Sequence, residues 1–375
     1  AGVYFQGGAI AESAAEAGRT AMLTRLAVKG TESRSAAQVA EEAELLGGSV
    51  GGAAGNDSFG WSISVPTQHL SPALELLGDV VQRPAIPADA LATERSIAIA
   101  DVVALRDDMS RYPVRLATGA AYAGHAYGIP ASGTEASLAA IDAPALRDWH
   151  RVHVLAGEAV VAIVGDVDPD AAAYLAAQAL HELDPTPAGA APAAEWEHGG
   201  AVVAESRDKK QSALVMLYPG PSRSSDARYA AQLLTGIASG LGGRFFDVLR
   251  DRQSLCYTVQ LFHTDRRLAG TFGAYIATSP EKEDAARAGL LAEIERLARE
   301  PVTAEELARA QEYAIGTHAI RQQSGGALLA EIVDAWMFGS LSELAVHDDR
   351  VRAVTREEMQ SLAATCLDAS LRVEG

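Results

Sequence analysis

An internal repeat constrains this chain more than any other feature. Residues 59–99 read FGWSISVPTQHLSPALELLGDVVQRPAIPADALATERSIAI and residues 272–315 read FGAYIATSPEKEDAARAGLLAEIERLAREPVTAEELARAQEYAI. Both run Phe-Gly, strand, helix, Pro, short loop, capped helix, Ala-Ile, an order of elements that chance does not preserve over such a length. A unit of this kind buries a sheet face against helices. The expected fold is therefore α+β, with two tandem homologous domains, each a mostly antiparallel or mixed sheet covered by helices on one face. Residues 184–200 (DPTPAGAAPAAEWEHGG) carry three prolines and three glycines and suit a linker. The expected domains are 1–190 and 191–375, which agrees with what 375 residues ordinarily build.

Hydrophobic periodicity fills in the first half. Helices are expected at 11–28, 35–46, 71–82, 88–107, 112–122, 143–151 and 169–180. Ser35 caps the second of these, and Gly47-Gly48 ends it where a left-handed residue is wanted. Strands are expected around 49–54, 58–65 and 160–164, the second alternating with period two. The chain opens directly on strand-like Val3-Tyr4-Phe5-Gln6 with no charged-then-apolar leader, so it is expected to begin inside a domain.

Composition removes several function classes. Lys plus Arg is 31 and Asp plus Glu is 49, a net charge of −18 that repels nucleic-acid phosphates and anionic membranes. No apolar run approaches the roughly 20 residues a spanning helix needs. Two cysteines, Cys256 and Cys366, make neither a disulfide framework nor a Cys-based metal site. Of nine histidines, His150 and His153 are three apart at a helix end, and the ordinary reading is a pair of surface imidazoles. The remaining histidines read as isolated. Glycines 240, 242 and 243 lack the Lys-Ser/Thr of a phosphate loop.

Several segments together resemble the insulinase/pitrilysin family of zinc metallopeptidases, the inverzincins. They are Lys29-Gly30-Thr31 with Ser35-Ala36 and Leu46-Gly47-Gly48, Glu94-Arg95, His125-Ala126-Tyr127-Gly128, and Val164-Gly165-Asp166-Val167. The resemblance spans essentially the whole chain and implies the LuxS/processing-peptidase type of metallopeptidase-like fold. The family's chemistry uses H-x-x-E-H on a helix, two His on one face binding zinc and the Glu taking the proton of the metal-bound water. Counted back from Lys29-Gly30-Thr31, those five positions are Ala21, Met22, Leu23, Thr24 and Arg25. The distal ligand position, a Glu in the family, falls at Asp101. Ala21 has no donor atom, Thr24 is no general base, and Arg25 is permanently cationic. The resemblance thus implies no metal and no cofactor in this chain, and no hydrolysis by it alone.

A second signature remains. Gly240-Leu241-Gly242-Gly243-Arg244-Phe245-Phe246-Asp247-Val248-Leu249-Arg250, followed by Leu255-Cys256-Tyr257, resembles the segment carrying the family's Arg and Tyr pair. That implies that Arg250 and Tyr257 lie together facing a large cavity. There they would bind the substrate carbonyl and steady the tetrahedral intermediate, as oxyanion-hole donors do. Gly240, Gly242 and Gly243 would lie near the substrate, a role compatible with a helix cap and turn. The leading expectation is a non-catalytic subunit of a heterodimeric bacterial-type zinc peptidase. Its partner would be a homologous subunit carrying H-x-x-E-H and the zinc, its substrate a peptide or unfolded polypeptide, and its compartment cytoplasm or periplasm. Isolated, the chain could pair with itself. The alternatives are a catalytically dead scaffold or peptide-binding protein of the same fold and, ranked last, a peptidase with an unrecognised metal site.

Overall fold

The computed structural model describes residues 1–186, 193–196, 200–240 and 242–375. In chain order the elements are β1 (Gly2–Gln6), α1 (Arg19–Ala27), α2 (Ala36–Leu45), β2 (Ser49–Ala54), β3 (Ser58–Ser64), α3 (Leu70–Gln82) and α4 (Ala88–Leu105). Then come α5 (Arg111–Ala121), α6 (Glu135–Ala140), α7 (Ala143–His150), β4 (Ala159–Ala162) and α8 (Pro169–Ala179). The second half supplies β5 (Ser212–Gly220), α9 (Ala227–Ser239), β6 (Thr258–Asp265), β7 (Gly270–Thr278), α10 (Glu283–Arg299) and α11 (Ala304–Arg321). It ends with α12 (Gly325–Phe338), α13 (Ser342–Ala353), α14 (Arg356–Cys366) and β8 (Val373–Glu374).

The fold is α+β, and the repeat is visible in its topology. One antiparallel sheet has the order β2-β3-β1-β4 and the other the order β6-β7-β5-β8. Numbered within each copy, the two orders are the same. Residues 59–99 and 272–315 each give a strand, a short 3₁₀ turn and two long helices in the same sequence. The shared Phe-Gly also has a structural reason. Phe59 and Phe272 point into the buried core. The following glycine, on the opposite face, leaves room for an aromatic ring of a neighbouring strand. A Cβ on Gly60 would stand 2.7 Å from the Tyr4 ring, and one on Gly273 only 2.1 Å from the Phe262 ring.

By contacts the chain forms two compact units that do not follow a single cut at residue 190. One comprises 1–104, 129–192 and 322–337, the other 105–128, 193–321 and 338–375. Each sequence half thus contributes one helical segment to the other half's unit. The linker expected at 184–200 falls partly outside the described residues. In the first unit Val3, Phe5, Phe59, Trp61 and Ile63 line one sheet face beneath α1 and α3. Phe5, Phe59 and Trp61 interlock with ring centroids 5.3–6.2 Å apart. In the second unit Met216, Tyr218, Phe272, Ala274 and Ile276 play that part beneath α9, α10 and α14.

The first expected helix is shorter than its periodicity suggests. It starts at Arg19 because the buried Glu12 carboxylate accepts hydrogen bonds from the backbone N–H groups of Gly18 and Thr20, both at 2.7 Å. Residues 11–18 are therefore spent on a loop that folds back to cap α1. The segment after α1 is pinned by Asp79 of α3. Its Oδ2 accepts from Thr31 Oγ1 (2.5 Å), Ser33 Oγ (2.9 Å) and Arg34 Nη1 (2.6 Å). Burial alone would raise the Asp79 pKa, but these donors outweigh it and hold the carboxyl below its usual range. α2 begins, as the sequence indicates, on a Ser35–Gln38 capping box and ends at Gly47 with φ 81°.

In the second unit a similar latch ties Arg244 to α11. Arg244 forms a two-pronged ion pair with Glu306 at 2.8 and 2.7 Å, and Glu306 completes a cap with Thr303. The Arg244 hydrogen bonds hold the Glu306 pKa down at about 2. A carboxyl depressed on folding stabilises fully above its unfolded pKa of about 4.3 and ceases to do so as pH falls through its folded value. Chemical denaturation of wild type should therefore show stability falling between about pH 4.3 and pH 2. Glu306→Ala should lose about 3 kcal/mol at neutral pH, leaving the largely buried Arg244 without its hydrogen-bonded counter-charge. Its profile should be flatter over the same acid window.

Candidate functional site

α1 carries two kinds of residue. Met22, Leu23, Leu26 and Ala27 are buried in the core, whereas Arg25 is exposed and Ala21 half-buried. Positions 21 and 25 are one turn apart and share a face. Arg25 donates through Nη2 to Asp101 Oδ2 at 3.2 Å, so the second and distal positions of the degenerate motif, 76 residues apart, do meet. Glu94, about two turns earlier on the same face of α4, lies 4.0 Å from Arg25 and pairs with Lys29 at 3.0 Å. Two cations and two carboxylates thus neutralise one another. A recess of about 50 Å³ remains between Ala21, Met22, Arg25, Ala98, Asp101 and Leu138.

These residues do not fit zinc. Ala21 offers no ligand atom, and the guanidinium of Arg25 already occupies the side of Asp101 from which a cation would be bound. Thr24 is buried, and its hydroxyl donates to the Ala21 carbonyl within its own helix at 2.9 Å. The Trp61 indole N–H donates to the Thr24 carbonyl at 3.1 Å, which fixes the helix on the sheet without touching the lost chemistry. The edge strand β2 runs beside α1, with Ser49, Gly51, Gly52 and Ala53 exposed.

In the second unit the expected pair does come together. Residues 246–252 form a π-helical turn containing Arg250. The backbone N–H groups of Ser254 and Leu255 then bond back to the carbonyls of Arg250 and Leu249. Ser254 makes the reversal with φ 51°, a conformation uncommon outside glycine. The chain returns so that Tyr257, immediately before β6, lies beside Arg250. The guanidinium carbon is 5.2 Å from the Tyr257 ring centre and 4.2 Å from that of Phe246. Arg250 has no ion pair among the described residues, Asp251 included, and Asp247 is taken by Arg252. The Tyr257 ring is 79% exposed, so within its own unit it faces solvent and not an enclosed cavity.

The glycines beside the pair act in the backbone. Gly240 ends α9. Gly243 must be glycine, because a Cβ there would stand 2.6 Å from the Ala238 carbonyl oxygen. Gly242 is in open space, and Leu241 lies outside the described residues. Cys256, next to Tyr257, has its thiol pushed up to about 11 by burial, which excludes a thiolate nucleophile at neutral pH.

Two histidine readings are corrected. His150 and His153 are not surface imidazoles. His150 is 7% exposed, with Nε2 2.7 Å from the Val81 carbonyl oxygen, and His153 stacks on Trp149 at 3.9 Å. Burial lowers the pKa of both. The helix packs onto α1 and α3, which turns these positions inward. Nor are all the others isolated, since His318 and His347 touch across two helices. They are 29 residues apart in sequence, so no local spacing pointed to them.

Comparison with known proteins accounts for the same landmarks. Residues 1–135 match the insulinase family, peptidase family M16, and residues 140–313 match the family's domain described as the M16 inactive domain. The chain belongs to the insulinase family. Among its relatives is an "uncharacterized zinc protease" of Streptomyces coelicolor, 24% identical over 98% of this chain and 82% of its own. Another, from Rickettsia bellii, is 25% identical over 80% of this chain and 73% of its own. A protease from Helicobacter pylori has the same fold, with a TM-score of 0.89 at 17% identity, covering 100% of this chain and 92% of that one. So does a peptidase M16 inactive domain from Pseudomonas fluorescens, with a TM-score of 0.88 at 21% identity over 100% and 91%.

In this insulinase-family chain the ion pair at the old motif is a surface feature. Asp101→Asn should change unfolding free energy by less than about 1 kcal/mol, since exposed pairs contribute little. Ala21→His, Thr24→Glu and Arg25→His together should not create peptidase activity, because Asp101 remains one methylene short of the family's Glu. A peptide-cleavage assay on the triple variant alone tests this; turnover dependent on added zinc would show the remaining scaffold to be sufficient.

Proposed function

We propose that this chain is the non-catalytic subunit of a two-chain zinc peptidase, supplying Arg250 and Tyr257 to a substrate held at the partner's centre. The observation that carries the reading is a contrast between two sites. At the family's metal position Arg25 and Asp101 form an ion pair, while Arg250 stands beside an exposed tyrosine with no carboxylate among the described residues to satisfy it. A guanidinium and a phenol held together are two donors aimed from one place. They suit the oxygen of a peptide carbonyl as negative charge develops on it. The partner is a homologous subunit bearing H-x-x-E-H and the zinc, and the substrate is a peptide or unfolded polypeptide. Edge strand β2, glycine-rich and exposed, offers backbone N–H and C=O groups to such a segment by strand addition. Among the described residues no helix is long and apolar enough to cross a membrane.

The test is reconstitution with the family member that restores activity. Donors that act on the transition state lower kcat more than they raise KM when removed. Tyr257→Phe should lower kcat by about 10²–10³, and Arg250→Ala by at least as much. If both variants keep full kcat in the active pair, the reading falls and a scaffold or peptide-binding role replaces it.

A further inference from the structure

Away from both sites, α11 and α13 bring together His318, His347 and Asp348. The two imidazoles overlap with ring centroids 3.7 Å apart and planes inclined by 32°. Each turns a nitrogen to the same carboxylate oxygen. His347 Nδ1 lies 3.1 Å from Asp348 Oδ1, and His318 Nδ1 lies 3.4 Å from it. All three side chains are at least partly accessible, Asp348 the most, at 44%. Among the described residues this is the group of three His, Cys, Asp or Glu whose potential ligand atoms all lie within 4.8 Å of one another.

We infer that His318, His347 and Asp348 form a binding site for one divalent transition-metal ion of the zinc, cobalt or nickel type, joining α11 to α13. The chemistry of the donors selects that class. Imidazole nitrogen suits borderline ions, whereas magnesium and calcium take sets of oxygens. The spacing agrees. With metal–ligand bonds of about 2.0–2.1 Å at tetrahedral angles, neighbouring ligand atoms stand about 3.3 Å apart. The two nitrogen–oxygen separations bracket that value. Entry of the ion replaces the hydrogen bonds to Asp348 and opens the stacked rings by side-chain rotation, and water fills the fourth position. The His347 hydrogen bond holds the Asp348 carboxyl below its ordinary pKa.

The placement gives the ion a structural task. The chain leaves its second unit after Arg321 and rejoins it at Phe338. His318 lies just before the departure and His347 just after the return, so the ion closes the two arms of that excursion. This is independent of the degenerate motif on α1 and of Arg250 and Tyr257.

The experiment equilibrates the intact, metal-stripped chain with cobalt(II) at neutral pH and records its visible absorption and the retained metal. One cobalt per chain with the intense bands of a tetrahedral site is expected, displaced by zinc, and zinc should raise Tm. His318→Ala and His347→Ala should each weaken binding by more than about 100-fold, exceeding the roughly 10–100-fold loss usual for groups that only orient a ligand. Both should also abolish the zinc-induced rise in Tm. Asp101→Asn should change neither. Circular dichroism confirms folding, and Asp348→Asn, at the most accessible position, provides the same comparison should a histidine variant fail to fold. If no cobalt is retained, or if it is held equally well by the substituted chains, the cluster is a hydrogen-bonded triad only and the inference is wrong.

Discussion

Each sheet in this protein buries one face under a layer of helices, and that constraint decides where much else can go; the second sheet buries part of its other face too, with α5 on β5 and Val215 and Leu217 inside. A strand alternates its side chains between faces. Phe59, Trp61 and Ile63 therefore go inward together, as do Phe272, Ala274 and Ile276. At the glycine that follows each Phe, Gly60 and Gly273, an aromatic from the adjacent strand lies over the opposite face. The helices that cover the buried face must present apolar residues to it and are free to present anything on their outer side. α1 shows the result. Met22, Leu23 and Leu26 hold it to the sheet, and Ala21 and Arg25 lie outside that contact.

The core contacts of α1 are made by residues other than Ala21 and Arg25. On its outer side Arg25 and Asp101 carry charges that satisfy each other. Lys29, Arg25, Glu94 and Asp101 form a neutral group on the outer side of α1 and α4. The loop that follows is held by something unrelated, the buried Asp79 carboxylate with three donors. The retained Lys29-Gly30-Thr31 is thus a structural landmark whether or not a motif precedes it.

Much of this was legible from the residues. The repeat foretold the matched sheet orders because both halves carry the same alternation and the same helix punctuation. Ser35 and Gly47 marked helix ends through local hydrogen-bonding preferences that need no tertiary context. The placing of Arg250 beside Tyr257 was expected through resemblance, since it does not follow from sequence spacing, whereas the Arg25–Asp101 ion pair emerges only in the structure. What escaped was tertiary. The true start of α1 depends on a buried glutamate reaching back over a loop. His150 faces inward because its helix packs on two others. His318 and His347 share a carboxylate only because α11 and α13 lie side by side.

The trade of segments between the halves means that the ancient duplication is no longer modular. A fragment stopping at the linker would carry α5 without β5, the strand against which that helix packs, and would leave Pro113, Ala117 and Ala121 bare. The complementary fragment would carry 322–337 with nothing of its own unit to receive it. During synthesis residues 105–128 must wait for the second half to emerge, so neither copy can finish folding as an autonomous piece.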